Sequence, residues 1–161
     1  MRYLLETERE QALSALKLAA KIASHASCER DKCGSIIVQQ GEVIGLGFNS
    51  PPGAHEAQRR CTADKSLLHP KVIDKTCCVH AEQRAIMDAL KHNASKLAGS
   101  RLYFMRLAKD NTPQKSGMPY CTLCSKMALD AGIDEFVLWH EQGIAVYDTK
   151  EYNLVSFQYQ G

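Results

Sequence analysis

The sequence lacks the features that mark several large classes of protein. No apolar run approaches the roughly 20 residues that a membrane-spanning helix requires, and the acidic residues that follow Leu4 and Leu5 do not fit a signal peptide. The net charge is only +2, which gives no electrostatic reason to expect binding to polymeric nucleic acid. The chain has no internal repeat and no low-complexity linker. We therefore expect a cytoplasmic protein with a small-molecule ligand and no membrane or nucleic-acid partner.

Length and cysteine content limit the architecture. A chain of 161 residues, 45% of them hydrophobic, is long enough to bury the core of one domain. Seven cysteines in a reducing compartment argue against a disulfide framework. The sequence therefore predicts a single domain over residues 1–161, in which cysteines serve as core residues or as metal ligands.

Hydrophobic periodicity predicts an α/β layer fold. A capping box formed by Thr7 and Glu10 precedes a first helix. The apolar stripe of this helix consists of Leu13, Leu16, Ala20 and Ala23. Strands are predicted at residues 35–38, 43–47, 101–107 and 135–139, with a hairpin turn at Gln40-Gly41 between the first two. We expect helices to cover a central sheet.

Two short motifs supply one imidazole, one carboxylate and two thiols. His80-Ala81-Glu82 lies at the start of a predicted helix over residues 79–93. Cys121-Thr122-Leu123-Cys124 begins a second predicted helix, which ends at Gly132. A spacing of three puts the two cysteines on one face, and the helix macrodipole there favours the thiolate that binds metal. Two helix starts can therefore meet at one metal ion.

The number of ligands separates a catalytic zinc site from a structural one. A structural site usually has four Cys or His ligands, whereas a catalytic site has three and leaves the fourth position to water. The Cys-x-x-Cys alone fits half of a structural site or a redox pair equally well. Combined with His-x-Glu, it is close to the signature of zinc-dependent nucleobase deaminases, in which the Glu is the general acid/base and not a ligand.

The flanking residues make the chain resemble the zinc-dependent cytidine/deoxycytidylate deaminase superfamily, and within it the deoxycytidylate (dCMP) deaminases most. The segments that carry the resemblance lie in the family's order at residues 34–38, 45–53 and 78–86, and the similarity covers roughly residues 7–140. It implies a single CMP/dCMP-type deaminase domain. The implied fold is a cytidine-deaminase-like three-layer α/β/α sandwich with a central mixed sheet of about five strands.

The resemblance also implies a role for each motif residue. The expected Zn²⁺ ligands are His80, Cys121 and Cys124, and the expected substrate contacts are Asn49, Ala81 and Tyr120. Zinc lowers the pKa of bound water, so that hydroxide attacks the amino-bearing ring carbon while Glu82 shuttles protons to the ring nitrogen and the departing amine. Asn49 would contact the sugar, for which its amide offers donors and acceptors. Without the family context, it could simply form a turn before Ser50-Pro51-Pro52.

Three segments depart from the family pattern or are not explained by it. The family commonly has Pro directly before the first zinc Cys, whereas here Tyr120 intervenes, and its ring could stack on a base or pack beside the helix. The polar residues 108–118 form either a mobile loop near the site or a tolerated surface insertion. Residues 144–147, if a strand, must return antiparallel after so short a connection, whereas dCMP deaminases have parallel last strands. Alternatively, Asp148 caps a short helix, or residues 154–159 form the last strand.

Two further clusters could bind ligands. Cys28, Cys61 and Cys78 are candidate ligands of a second, structural zinc, completed by His55 or Cys77, because some dCMP deaminases have such a site in this region. The ordinary alternative is that these are buried free thiols. Five cations could hold a nucleotide phosphate or form a solvated face. They are Arg59, Arg60, Lys65, Lys71 and Lys75.

We therefore expect an enzyme that deaminates dCMP to dUMP with release of ammonia. The alternative is a related deaminase of another base or nucleoside, such as guanine, adenine or cytidine, because pocket shape determines this choice. A non-catalytic zinc-binding scaffold is disfavoured, since it has no need for the proton shuttle Glu82. The resemblance also implies a homo-oligomer.

Overall fold

The computed structural model describes residues 1–160 as a central sheet with helices on both faces. The helices are α1 (Glu6–Ala23), α2 (Ala81–Asn93), α3 (Thr122–Asp130) and α4 (Thr149–Ser156). The strands are β1 (Arg2–Tyr3), β2 (Lys32–Gln39), β3 (Glu42–Phe48), β4 (Ser100–Leu107), β5 (Pro113–Gln114), β6 (Ile133–His140) and β7 (Gly143–Asp148). In the same residues, no helix is long and apolar enough to cross a membrane.

The strands form one mixed sheet in the order β1-β7-β6-β4-β2-β3, and β5 pairs with the end of β4. Strands β4 and β6 are parallel, whereas the other named pairs are antiparallel. The predicted mixed sheet is confirmed, although it has seven strands rather than about five. The additional β1 and β5 have two residues each, too few to show the alternation by which a strand is recognised.

Two apolar cores confirm the predicted three layers. On one face, Leu16 and Ala19 of α1 pack against Ile36 and Val137 of the sheet. The other face is covered by α2, α3 and α4, which share a core with strand residues such as Phe136. The N-terminal ends of α2 and α3 therefore lie on the same side of the sheet.

The local expectations for the N-terminal half were met in part. The hairpin turn is confirmed, since Gln40 and Gly41 have φ values of 49° and 82°. The capping box at Thr7 is wrong, because α1 begins at Glu6 after Leu5, which makes no side-chain cap. Leu4 explains the earlier start: its side chain is buried and its amide donates to the carbonyl of Ile144, which fixes the chain before Thr7.

The C-terminal segment combines two of the alternatives left open by the sequence. Strand β7 is antiparallel to β6, and Asp148 caps α4 by accepting hydrogen bonds from the amides of Lys150 and Glu151. The alternative of a final strand at residues 154–159 is wrong, since α4 extends to Ser156. The parallel arrangement expected of dCMP deaminases is therefore absent from the β6–β7 pair.

The polar stretch 108–118 is attached to the sheet at two points. Residues Pro113 and Gln114 pair with β4 as the short strand β5. Farther along, the amide of Ser116 donates to the carbonyl of Trp139 over 2.7 Å, and the Lys115 ammonium lies 3.6 Å from the centroid of the Trp139 ring. This segment thus forms a wall beside the start of α3.

Candidate active site

The first side of the site is the start of α2. His80 is the residue before the first helical turn, and its backbone amide donates to the Gln83 side chain over 2.9 Å. Glu82 lies in that first turn and is only 6% exposed. Both side chains therefore project from a fixed helix start, as the sequence predicted.

The second side is the start of α3. Cys121 is the N-cap residue, and its sulfur accepts a hydrogen bond from the amide of Cys124 over 3.3 Å. Gly132 follows the helix with a φ of 81°, as expected for a residue just beyond a helix end. The two cysteines of the motif are buried, at 8% and 0% exposure.

The two helix starts converge on one group of potential metal ligands. His80 Nδ1 lies 3.3 Å from the sulfur of Cys121 and 3.3 Å from that of Cys124, and the two sulfurs are 2.7 Å apart. All three ligand atoms lie within 4.8 Å of one another. One imidazole and two thiols form a donor set that suits zinc, and three protein ligands are the number found in catalytic sites. These residues are therefore positioned to bind a metal ion.

The ionisable groups of the site perturb one another strongly. Hydrogen bonding with Cys124 and His80 lowers the pKa of Cys121 to about 5, and the hydrogen bond with Cys121 raises the pKa of His80 to about 9. The hydrogen bond to Cys121, together with burial, raises the pKa of Cys124. Burial, reinforced by Cys121, raises the pKa of Glu82 to about 7. A carboxyl with such a pKa exchanges protons readily near neutral pH.

A cavity of about 260 Å³ adjoins this group, and all three predicted substrate contacts line it. The Asn49 carboxamide accepts from the amide of Cys33 over 2.8 Å and donates to the carbonyl of Asp31 over 2.9 Å. Asn49 therefore joins the end of β3 to the start of β2. Both the oxygen and the nitrogen of its side chain can form further hydrogen bonds. Ala81 is fully buried at the cavity wall, and Tyr120 is 47% exposed.

Tyr120 has a neighbour that the sequence did not indicate. Its ring centroid lies 5.5 Å from that of Tyr159, in a tilted arrangement. Tyr159, three residues beyond the end of α4, thus packs against the Tyr120 ring. The ring packs on the protein and also lines the cavity, and its contact with a base stays a prediction.

The candidate ligands of a second zinc lie around the same cavity as two pairs. Cys28 is next to Cys78, and Cys61 is next to Cys77. All four thiols line the cavity, whereas His55 is exposed and outside its lining. Within residues 1–160, the only group of three ligands within 4.8 Å is that of His80. A second zinc therefore stays a prediction, for which Cys77 is a better placed fourth ligand than His55.

Of the five predicted phosphate-binding cations, two line the cavity and three lie outside its lining. Arg60 and Lys65 line the cavity, together with Arg30, which the sequence analysis did not identify. Arg59 instead bonds to the carboxylate of Glu56 and to the sulfur of Cys61. The remaining two, Lys71 and Lys75, lie outside the lining.

Sequence reasoning also missed residues that only the tertiary fold brings to the site. Arg106 of β4 and Tyr152 of α4 line a small recess beside Glu82. Neither carries a recognisable motif, and Tyr152 lies on the helix whose existence the sequence left open. Arg30 had a weak signal, since it precedes a predicted strand within a polar run, where binding groups are common.

The fold and the site together define a zinc-binding domain of the α/β class. Residues 9–140 match the family described as the cytidine and deoxycytidylate deaminase zinc-binding region. The chain belongs to this family and is therefore a zinc-dependent deaminase.

Known relatives agree with this assignment. The deoxycytidylate deaminase of Mycobacterium phage D29 is 27% identical over 128 residues, which cover 76% of this chain and 88% of the phage protein. That of Saccharomyces cerevisiae is 30% identical over 129 residues, which cover 76% of this chain and 35% of the longer yeast protein. Among solved structures, this chain is similar to the dCMP deaminase of the cyanophage S-TIM5 in complex with dCMP and dUMP. The two chains superpose with a TM-score of 0.55 and 25% sequence identity, over 83% of this chain and 82% of the cyanophage chain.

Proposed function

We propose that this protein hydrolyses dCMP to dUMP and ammonia. The observation that carries the proposal is the convergence of His80, Cys121 and Cys124 beside the buried carboxyl of Glu82, at a cavity that cations also line. The similarity to proteins named deoxycytidylate deaminases supports the choice of a cytosine nucleotide.

The proposed mechanism assigns a distinct task to each residue. His80, Cys121 and Cys124 would hold a zinc ion, whose chemistry at this site would be to make a water molecule more acidic and so a better nucleophile. Glu82 would accept the two protons of the attacking water one after the other, passing the first to the ring nitrogen and the second to the amino group. The ring carbon gains the water oxygen and loses its amino nitrogen as ammonia. Asn49 and the backbone of Ala81 bind the nucleoside, and Tyr120 covers the base.

The phosphate is the part of dCMP that most clearly matches the remaining cavity residues. Arg60 is exposed and Lys65 half-buried, so both lie toward the solvent side of the cavity, whereas Glu82 lies at its buried side. The guanidinium of Arg30 donates to the carbonyl of Cys61 over 2.9 Å and is held in place beside them. Arg and Lys bind phosphate through charge-assisted hydrogen bonds.

The test is ammonia release by the zinc-loaded protein over a panel of substrates: dCMP, CMP, deoxycytidine, cytidine, cytosine, guanine and adenosine. We expect dCMP to have the highest kcat/KM. Arg60→Gln should lower kcat/KM for dCMP by roughly 10- to 100-fold, as for one charge-assisted hydrogen bond, and leave that for deoxycytidine unchanged. Lys71→Gln, outside the cavity, is the matched control. Equal activity on dCMP and deoxycytidine would contradict the phosphate contact.

A second candidate function is deamination of a different base by the same groups. The antiparallel β7 differs from what the resemblance to dCMP deaminases led us to expect. Tyr120, which stands where the family commonly has Pro, lines the cavity and packs on Tyr159. Activity on guanine or adenosine without activity on dCMP would support this candidate. The homo-oligomer implied by the resemblance stays a prediction, which sedimentation of the purified protein tests.

A further inference from the structure

A small recess lies beside the main cavity and shares a wall with it. Glu82, Phe104 and Tyr120 line both spaces. The recess has a volume of about 10 Å³, which is close to the minimum that one water molecule requires. Its position next to the proposed proton shuttle makes it relevant to the reaction.

Two polar atoms at the recess have no hydrogen-bond partner among residues 1–160. They are Nε of Arg106 and Oγ of Ser116, and both are fully buried. A buried polar group without a partner destabilises a protein, so such groups are normally satisfied by protein or by ordered water. The pair combines an N–H donor with a hydroxyl that can donate or accept.

The walls of the recess are held by contacts that limit its collapse. The backbone of Ser116 is fixed by its hydrogen bond to the carbonyl of Trp139. The Arg106 backbone lies in β4 between Cys33 and Gln114 of the neighbouring strands. On the opposite side, the Tyr152 ring stacks on Phe136 with 4.0 Å between the centroids. The backbone positions that carry the two polar atoms are therefore fixed.

We propose that this recess binds one small uncharged hydrogen-bonding molecule beside Glu82: water in the resting enzyme and ammonia after deamination. Such a molecule accepts the N–H of Arg106 through its lone pair and donates to Ser116 Oγ or to the Glu82 carboxylate. The guanidinium charge of Arg106 repels ammonium, which also has no lone pair to accept this hydrogen bond. The recess thus separates the released ammonia from the pyrimidine product. The ammonia part rests on the proposed function, whereas the water part does not.

The first test is crystallographic and needs no substrate. Crystals of the zinc-loaded protein should show one solvent peak within hydrogen-bonding distance of both Arg106 Nε and Ser116 Oγ. Ser116→Val should fill the recess and remove the peak. Ser100→Ala is the matched control, because the Ser100 hydroxyl is also buried and without a partner but lies outside the recess. If Ser116→Val does not fold, Ser116→Ala replaces it and should weaken the peak. A map with well-ordered water elsewhere but no peak at these two atoms would overturn the proposal.

The second test distinguishes ammonia from water. Deamination is followed with increasing ammonium chloride, at a pH where part of it is ammonia, with potassium chloride as the ionic-strength control. We expect inhibition of the wild type and of Ser100→Ala, and roughly tenfold weaker inhibition of Ser116→Val, as for the loss of one hydrogen bond. An inhibition constant unchanged by Ser116→Val would overturn the ammonia assignment. If no substrate is deaminated, the proposed function fails while the crystallographic test of the water site still stands.

Discussion

Glu82 is the residue whose surroundings most directly suggest a chemical task. It is almost completely buried, next to the thiols of two metal ligands, and burial raises the pKa of its carboxyl to about 7. A fully exposed glutamate would stay ionised at neutral pH and would not return protons efficiently. The environment that the fold gives to Glu82 therefore matches a group that must both accept and donate.

We predict that Glu82→Gln retains zinc and loses nearly all turnover, by at least the ~10²–10⁴-fold that general acid/base transfer contributes. The amide has almost the same shape as the carboxyl but cannot shuttle a proton. The measurement is metal content by atomic absorption together with the rate of ammonia release. The exposed Glu141→Gln is the control and should match the wild type in both. A Glu82→Gln protein with full zinc and the wild-type rate would refute the assignment.

At the residue scale, the sequence predicted side chains whose placement depends on short-range geometry. His80 and Glu82 are two residues apart at one helix start, and Cys121 and Cys124 are three apart at another, so each pair follows from helix formation alone. Arg106 and Tyr152 were missed because they reach the recess only after β4 and α4 have packed on the rest of the chain. No spacing in the sequence relates either residue to Glu82.

At the element scale, the position of α2 depends on a glycine in the neighbouring strand. A β-carbon at Gly47 would collide with the carbonyl oxygen of Ala81 and lie 2.5 Å from the amide nitrogen of Ala85. These are backbone atoms of the helix that carries Glu82, so no side chain can move aside to make room. The absence of a side chain at Gly47 thus allows α2 to lie close to β3.

We predict that Gly47→Ala lowers the free energy of unfolding by about 1–3 kcal/mol, as for overpacking in a core, and lowers turnover because the start of α2 must shift. Urea unfolding of the zinc-loaded proteins measures the first effect, and ammonia release measures the second. Gly117→Ala is the stability control, since a β-carbon there meets no atom within 4 Å. If Gly47→Ala and the wild type had the same free energy of unfolding, α2 could move away from β3 without loss of stability, and the prediction would be wrong.

The sequence predicted elements well where they are long and periodic. Helices α2 and α3 and strands β2, β3, β4 and β6 all have the expected type, with ends that differ by a few residues. The start of α1 was misplaced because its position depends on Leu4, a tertiary anchor, and not on the local capping pattern. The two-residue strands β1 and β5 exist through pairing with distant parts of the chain, which no local pattern reveals.

At the scale of the whole molecule, the cysteines are unevenly distributed. The hydrophobic pattern predicted helices over a central sheet, but not that all seven cysteines would lie around one cavity and its metal ligands. Cys121 and Cys124 belong to the predicted catalytic zinc. Four others form the two neighbouring pairs Cys28–Cys78 and Cys61–Cys77. Neighbouring thiols are the ligands that a structural zinc site uses, but within residues 1–160 no three of these four sulfurs lie within 4.8 Å of one another, so the second zinc is a prediction that metal analysis must test.

We predict two zinc ions per chain in the fully loaded protein. Cys28→Ser should reduce the content to one and lower the Tm, because a structural zinc stabilises the folded state that binds it. The measurement is elemental analysis after removal of loosely bound metal, with thermal unfolding of the same samples. Cys33→Ser is the matched control: Cys33 is also a half-buried thiol of the cavity lining but does not belong to either pair, so zinc content should remain two. A wild-type content of one zinc per chain would exclude the second site and identify the four thiols as ordinary packing residues.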